Sequence, residues 1–156
     1  DLHSFPTRRS SDLLVSNREN RNYRDMNEFQ NRITPEFIKS LKRNEIFVFG
    51  SNLHGMHGGG AARIAVEKFG AIMGQGVGLQ GQSYAIPTMQ GGPNTILPYV
   101  EEFITFAKQH PELTFLVTKI GCGIAGFTPR EIAPLFAGAV DVENIHLPMD
   151  FWKELV

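Results

Sequence analysis

The chain has 156 residues, a formal net charge of −1 and a single cysteine, Cys122. That length suits one domain with one real hydrophobic core. The near-neutral charge argues against direct nucleic-acid binding, and one cysteine excludes an internal disulfide or a cysteine-rich zinc site. No run of about 18 apolar residues is present to span a membrane, and these features together suit a reducing cytoplasm.

Residues 1–13 (DLHSFPTRRSSDL) show neither helical nor strand periodicity and lack the apolar stretch of a signal peptide. They are similar to the translation of a sequencing adapter and are set apart from the fold. Residues 14–32 are polar and rich in Asn and Arg, and read as a flexible lead-in. One domain is expected over residues 33–156. Thr34-Pro35-Glu36 looks like a helix start, with Thr34 as N-cap and Phe37, Ile38 and Leu41 on one apolar face.

Ile46–Phe49 is a continuous apolar run of the kind buried on both faces of a parallel sheet. Gly50–Gly60 (GSNLHGMHGGG) follows as a loop, and Ala61–Phe69 as a helix with Ala61, Ile64, Ala65 and Phe69 toward the core. Residues 70–82 are glycine-rich and aperiodic, a composition found in functional or mobile loops. Ser83–Pro87 reads as a short strand and Thr88–Thr95 as a second loop. Pro98–His110 is amphipathic through Leu97, Val100, Phe103, Ile104 and Ala107. Thr114–Thr118 is the next buried strand, and Lys119–Phe127 (KIGCGIAGF) the second glycine loop. Thr128 and Glu131 have the spacing of a capping box. Asn144–Leu147 closes the strands and Asp150–Leu155 ends the chain as a helical turn.

Alternating strands and helices predict an α/β fold with a parallel-rich sheet, whose ligands bind beyond the carboxyl ends of the strands. Both glycine loops fall at that position. The first, Gly58-Gly59-Gly60, opens a helix whose free amides and partial positive charge suit a phosphate. It lacks the Lys-Ser or Lys-Thr of a phosphate-binding P-loop and the G-x-G-x-x-G dinucleotide fingerprint. Gly50 and Ser51 belong to the same strand-to-helix crossing. Asn52 either reaches a ribose hydroxyl or caps the turn. His54 and His57 stand three apart without a third metal ligand, so no metal is expected. In the second loop, Gly121, Gly123, Ile124, Ala125 and Gly126 offer amides to the same ligand. Phe127 packs either on a flat ligand or in the core, and Cys122 reads as a small buried hydrophobe rather than a nucleophile.

The segments FVFGSNLHGMHGGGAARIAVEKFGA and VTKIGCGIAGFTPREIAPLF resemble the two ligand loops of macrodomains, and LQGQSYAIPT is similar to the stretch between them. Residues 45–152 look most like short macrodomain-like proteins of bacteria and phages. The resemblance implies a three-layer α/β/α fold and a cleft for ADP-ribose, with no cofactor. It implies Asn52 at the distal ribose and Gly58–Gly60 beneath that ribose and the diphosphate. Gly121, Gly123, Ile124, Ala125 and Gly126 would form the diphosphate loop, and Phe127 would pack on the distal ribose. The partner would be an ADP-ribose-like nucleotide, free or attached to a macromolecule. The acidic residue that reads adenine in a G-D-I-like motif has no counterpart here. Hydrolysis of an ADP-ribosyl bond would use Asn52 to orient the ribose and either a ligand phosphate or His57 to position water; a non-enzymatic binding module is the alternative. Glu67, on the following helix, is the nearest acidic residue.

Overall fold

The computed structural model describes residues 27–156; the adapter-like stretch and most of the polar lead-in lie outside the described residues. Five strands form one sheet: β1 (Glu45–Ser51), β2 (Gly78–Gln80), β3 (Ser83–Pro87), β4 (Thr114–Val117) and β5 (Ile145–His146). Their spatial order is β2-β3-β1-β4-β5. β1 runs parallel to β3 and β4, β4 runs parallel to β5, and only β2 is antiparallel. The helices are α1 (Gly60–Lys68), α2 (Pro93–Gln109), the short α3 (Pro129–Ile132) and α4 (Met149–Leu155). A 3₁₀ stretch, Ala133–Ala139, continues from α3. This is the mixed α/β architecture with a mostly parallel sheet that the alternating pattern predicts.

Strand alternation divides the core. Ile46 and Val48 of β1 point into one apolar cluster with Tyr84, Ile86, Phe115 and Val117, covered by α2, the 3₁₀ stretch and α4. Phe47 and Phe49 point the other way, into a smaller cluster with Ala85 and with Ala62, Ala65 and Phe69 of the α1 segment. β1 is thus buried on both faces, which is why it reads as an unbroken apolar run.

Several local expectations are corrected. Residues 34–44 contain no regular helix. A segment this short needs a packed face to hold a helix, but Phe37 is 80 % exposed while Ile38 and Leu41 only edge the smaller cluster. Ile64 of α1 faces solvent, and Ala62 takes the core position instead. The glycine-rich stretch 70–82 contains β2, paired with β3 from Gly78 to Gln80. α2 starts five residues earlier than Pro98 suggests, with Pro93 in its first turn and Pro98 inside it, and buries Ile96 rather than Leu97.

The end of the polar lead-in is anchored. Phe29 stacks on Trp152 with ring centroids 4.2 Å apart, and Ile33 forms a parallel bridge to Leu147. The Arg32 guanidinium donates to the carbonyls of Ala139, Val140, Val142 and Ile145 at 2.7–3.1 Å. Partial burial lowers its pKa from the ordinary value, against the raising influence of Glu143, Asp141 and Glu28. Arg32→Met strips the donors from this cluster of carbonyls. Unfolding in urea is expected to show a loss of about 2 kcal/mol or more, with Arg32→Lys recovering only part of it because an ammonium cannot fork.

Candidate functional site

Parallel pairing of β1 with β3 and β4 brings three loops out at one edge of the sheet, after Ser51, Pro87 and Val117. A cavity of about 250 Å3 opens there. The first glycine loop contributes Gly59 and Gly60, the second contributes Gly121, Gly123, Ile124 and Ala125, and Gly50, Ser51 and Asn52 form the base between them. The loops face each other closely. A Cβ on Gly59 would stand 3.6 Å from Ile124 Cδ1, and one on Gly50 would stand 3.5 Å from the Gly121 amide nitrogen.

The N-terminus of α1 opens onto this cavity. Its N-cap is Gly59, no side chain caps it, and no acidic residue lies in its first turn. Gly60, Ala61 and Ala62 all line the cavity. The opening amides of a helix have no intrahelical acceptor, and they carry the positive end of the helix dipole. By contrast, α3 is closed by its own capping box: Thr128 Oγ1 accepts from the Glu131 amide at 3.3 Å, and the Thr128 amide donates to Glu131 Oε1 at 3.1 Å.

The remaining sequence candidates fall into two groups. Asn52 lines the cavity, but its amide closes the loop that follows. Nδ2 donates to the Met56 carbonyl and Oδ1 accepts from the Met56 amide, both at 3.0 Å. The Ser51 hydroxyl is engaged by the Gly76 carbonyl. Gly58, Cys122, Gly126, Phe127 and His57 do not line the cavity. Phe127 and Cys122 pack against the larger core cluster. His57 is buried behind the first loop, edge-on to Phe49 at 5.1 Å. Its Nε2 lies 2.9 Å from the Gln75 carbonyl and 3.3 Å from Gln80 Oε1, so it braces residues 72–80 against the loop rather than facing a ligand. Glu67 pairs with Arg63 at 2.9 Å on the exposed side of α1.

Residues missed by sequence reasoning complete the lining: Thr88 and Met89 after β3, Thr118, Lys119 and Ile120 after β4, and Met56 in the first loop. Thr88 and Thr118 each follow a parallel strand directly, and that position was the available signal. Lys119 Nζ lies 2.8 Å from Asp150 Oδ2. The carboxylate holds the ammonium above its ordinary pKa, and the ammonium holds Asp150 below the usual carboxylate range, so both are charged at neutral pH. A second cavity, of about 700 Å3, shares Thr118 and Lys119 with the first.

Gly121 has φ +77°, and a Cβ there would meet Ile132 Cδ1 at 3.1 Å. Gly121→Ala should therefore cost about 1–2 kcal/mol for the left-handed backbone, whereas Gly58→Ala, with open space around its Cβ, should stay within about 0.5 kcal/mol; thermal melts of the pair compare them directly. Burial raises the Cys122 thiol above its ordinary pKa. Its alkylation rate by iodoacetamide should accordingly keep rising with pH beyond the point at which a free thiol levels off.

Comparison of the chain with family models, with curated proteins and with solved structures gave no match.

Proposed function

We propose that this chain binds ADP-ribose or a closely related NAD-derived nucleotide diphosphate, in a macrodomain-like frame with its sheet between two helical layers. The observation that carries the reading is the uncapped N-terminus of α1 opening onto the same cavity as the backbone of the second glycine loop. Two sets of backbone groups facing one another across a narrow cleft suit a diphosphate better than a single phosphate. Small-molecule sites usually measure about 300–1,000 Å3. The first cavity alone falls below that range, and a second cavity that shares Thr118 and Lys119 with it supports a ligand longer than a diphosphate.

Binding without turnover is favoured over hydrolysis of an ADP-ribosyl bond. Among the residues lining the first cavity there is no His, Asp or Glu to activate water, and His57 is occupied behind the loop. Asn52 can orient a ribose through the hydrogen-bonding capacity left after its contacts with Met56.

A thermal-shift series with ADP-ribose, NAD, AMP and inorganic phosphate tests the reading. ADP-ribose should give the largest shift, since a ligand at 100 times its Kd adds about 2.7 kcal/mol. Equal shifts for ADP-ribose and phosphate would overturn it. Asn52→Ala should both loosen the loop, by about 1–2 kcal/mol for two neutral hydrogen bonds, and weaken ADP-ribose binding. Incubation with an ADP-ribosylated protein should leave the modification in place; steady release of ADP-ribose, lost in Asn52→Ala, would establish the hydrolase instead.

A further inference from the structure

The two cavities lie on either side of one ion pair. Thr118 and Lys119 line both of them, and Asp150, the partner of Lys119, lines the second. Their chemistry differs. Lys119 is the single cationic side chain among the residues lining either cavity, and the first cavity is otherwise glycine backbone, small polar groups and apolar side chains. The second holds the carboxylates of Glu36 and Asp150, the solvent-facing ring of Phe37, and Thr34. Thr34 is 5 % exposed, and its hydroxyl oxygen is buried with no hydrogen-bond partner. An anion therefore favours the first cavity. A flat ring bearing N–H donors favours the second, where acceptors and an aromatic face are gathered.

We propose that the Lys119–Asp150 ion pair is exchanged when a ligand spans both cavities. The ligand's phosphates draw the Lys119 ammonium away from Asp150, and the freed Asp150 carboxylate accepts an N–H from an amino-bearing base lying near Phe37 and Thr34. The pair is about half exposed on each side, and ion pairs in that setting are weakly held, so a diphosphate competes for the lysine with little opposition. The pair is thereby a specificity device. It admits phosphate and base together and disfavours a base whose edge presents a carbonyl to Asp150, where two acceptors would face each other without a proton between them. This inference rests on the nucleotide reading above.

Calorimetric titration of the full chain tests it with three probes: ADP-ribose, its hypoxanthine counterpart, and inorganic diphosphate. Wild type should prefer ADP-ribose over the hypoxanthine compound by about tenfold or more, the range for a hydrogen bond to a charged group. Asp150→Asn should erase that preference while binding diphosphate as well as or better than wild type, because Lys119 is released. Lys119→Gln should weaken all three probes by about tenfold, with Lys119→Arg restoring diphosphate binding. Melting temperatures of the variants separate these effects from loss of fold. Binding of ADP-ribose by wild type, with the preference intact in Asp150→Asn or the affinity intact in Lys119→Gln, would overturn the exchange alone. Failure of wild type to bind ADP-ribose at millimolar concentration would overturn the nucleotide reading and the exchange with it.

Discussion

The structure depends on the burial of β1. Val48 and Phe49 have no exposed surface, so this strand must pair on both edges and pack on both faces. Pairing in parallel with β3 and β4 fixes where the chain can leave the sheet. Three successive loops then emerge side by side at the carboxyl edge, and a cavity between them follows from topology rather than from any one residue. The same constraint explains why the two glycine loops, some sixty residues apart in sequence, come so near that a Cβ added at Gly59 would touch Ile124.

The glycine loops differ in how they are held. The second closes on itself through short backbone bonds, Phe127 N–H to the Gly121 carbonyl at 2.9 Å and Gly126 N–H to Gly123 at 3.0 Å, and is backed by Ile132. The first is closed by Asn52, through its side chain to Met56 and its carbonyl to the Gly55 amide, and is buttressed from behind. His57, Gln75 and Gln80 form a buried polar network, and Gly76 lies so close to the first loop that a Cβ would overlap the carbonyl oxygen of Asn52. The His57 Nε2 finds partners in the buttress, while its buried Nδ1 has no hydrogen-bond partner. This accounts for a histidine beside a candidate site that does not enter it.

The strands and the capping box were legible because each leaves a local signature. β1, β3 and β4 are short β-branched or aromatic runs, and Thr128 and Glu131 stand at the required separation. The start of α2 was not, because Pro98 resembles a helix opening, although a proline further inside a helix can be tolerated when packing supplies the stability. β2 was hidden by glycine, and its pairing depends on β3 rather than on its own propensity. At the site, the backbone contribution could be read from the glycines. The side chains could not, since Thr88, Thr118 and Lys119 become neighbours only through strand order, and Asp150 reaches Lys119 from the last helix. Arg32 shows the same limit: a charged residue in a polar stretch gave no hint that it fastens four carbonyls of the distant 139–145 segment.

That fastening has an optical consequence. Trp152 is the only tryptophan of the chain. It is fully buried, its indole N–H donates to the Arg32 carbonyl at 2.7 Å, its ring stacks on Phe29, and the Arg32 guanidinium carbon sits 5.0 Å from its centroid and 5.3 Å from that of Phe29. Intrinsic fluorescence therefore reports the seam where the first described residues meet the last helix. Peeling that seam open would shift the emission.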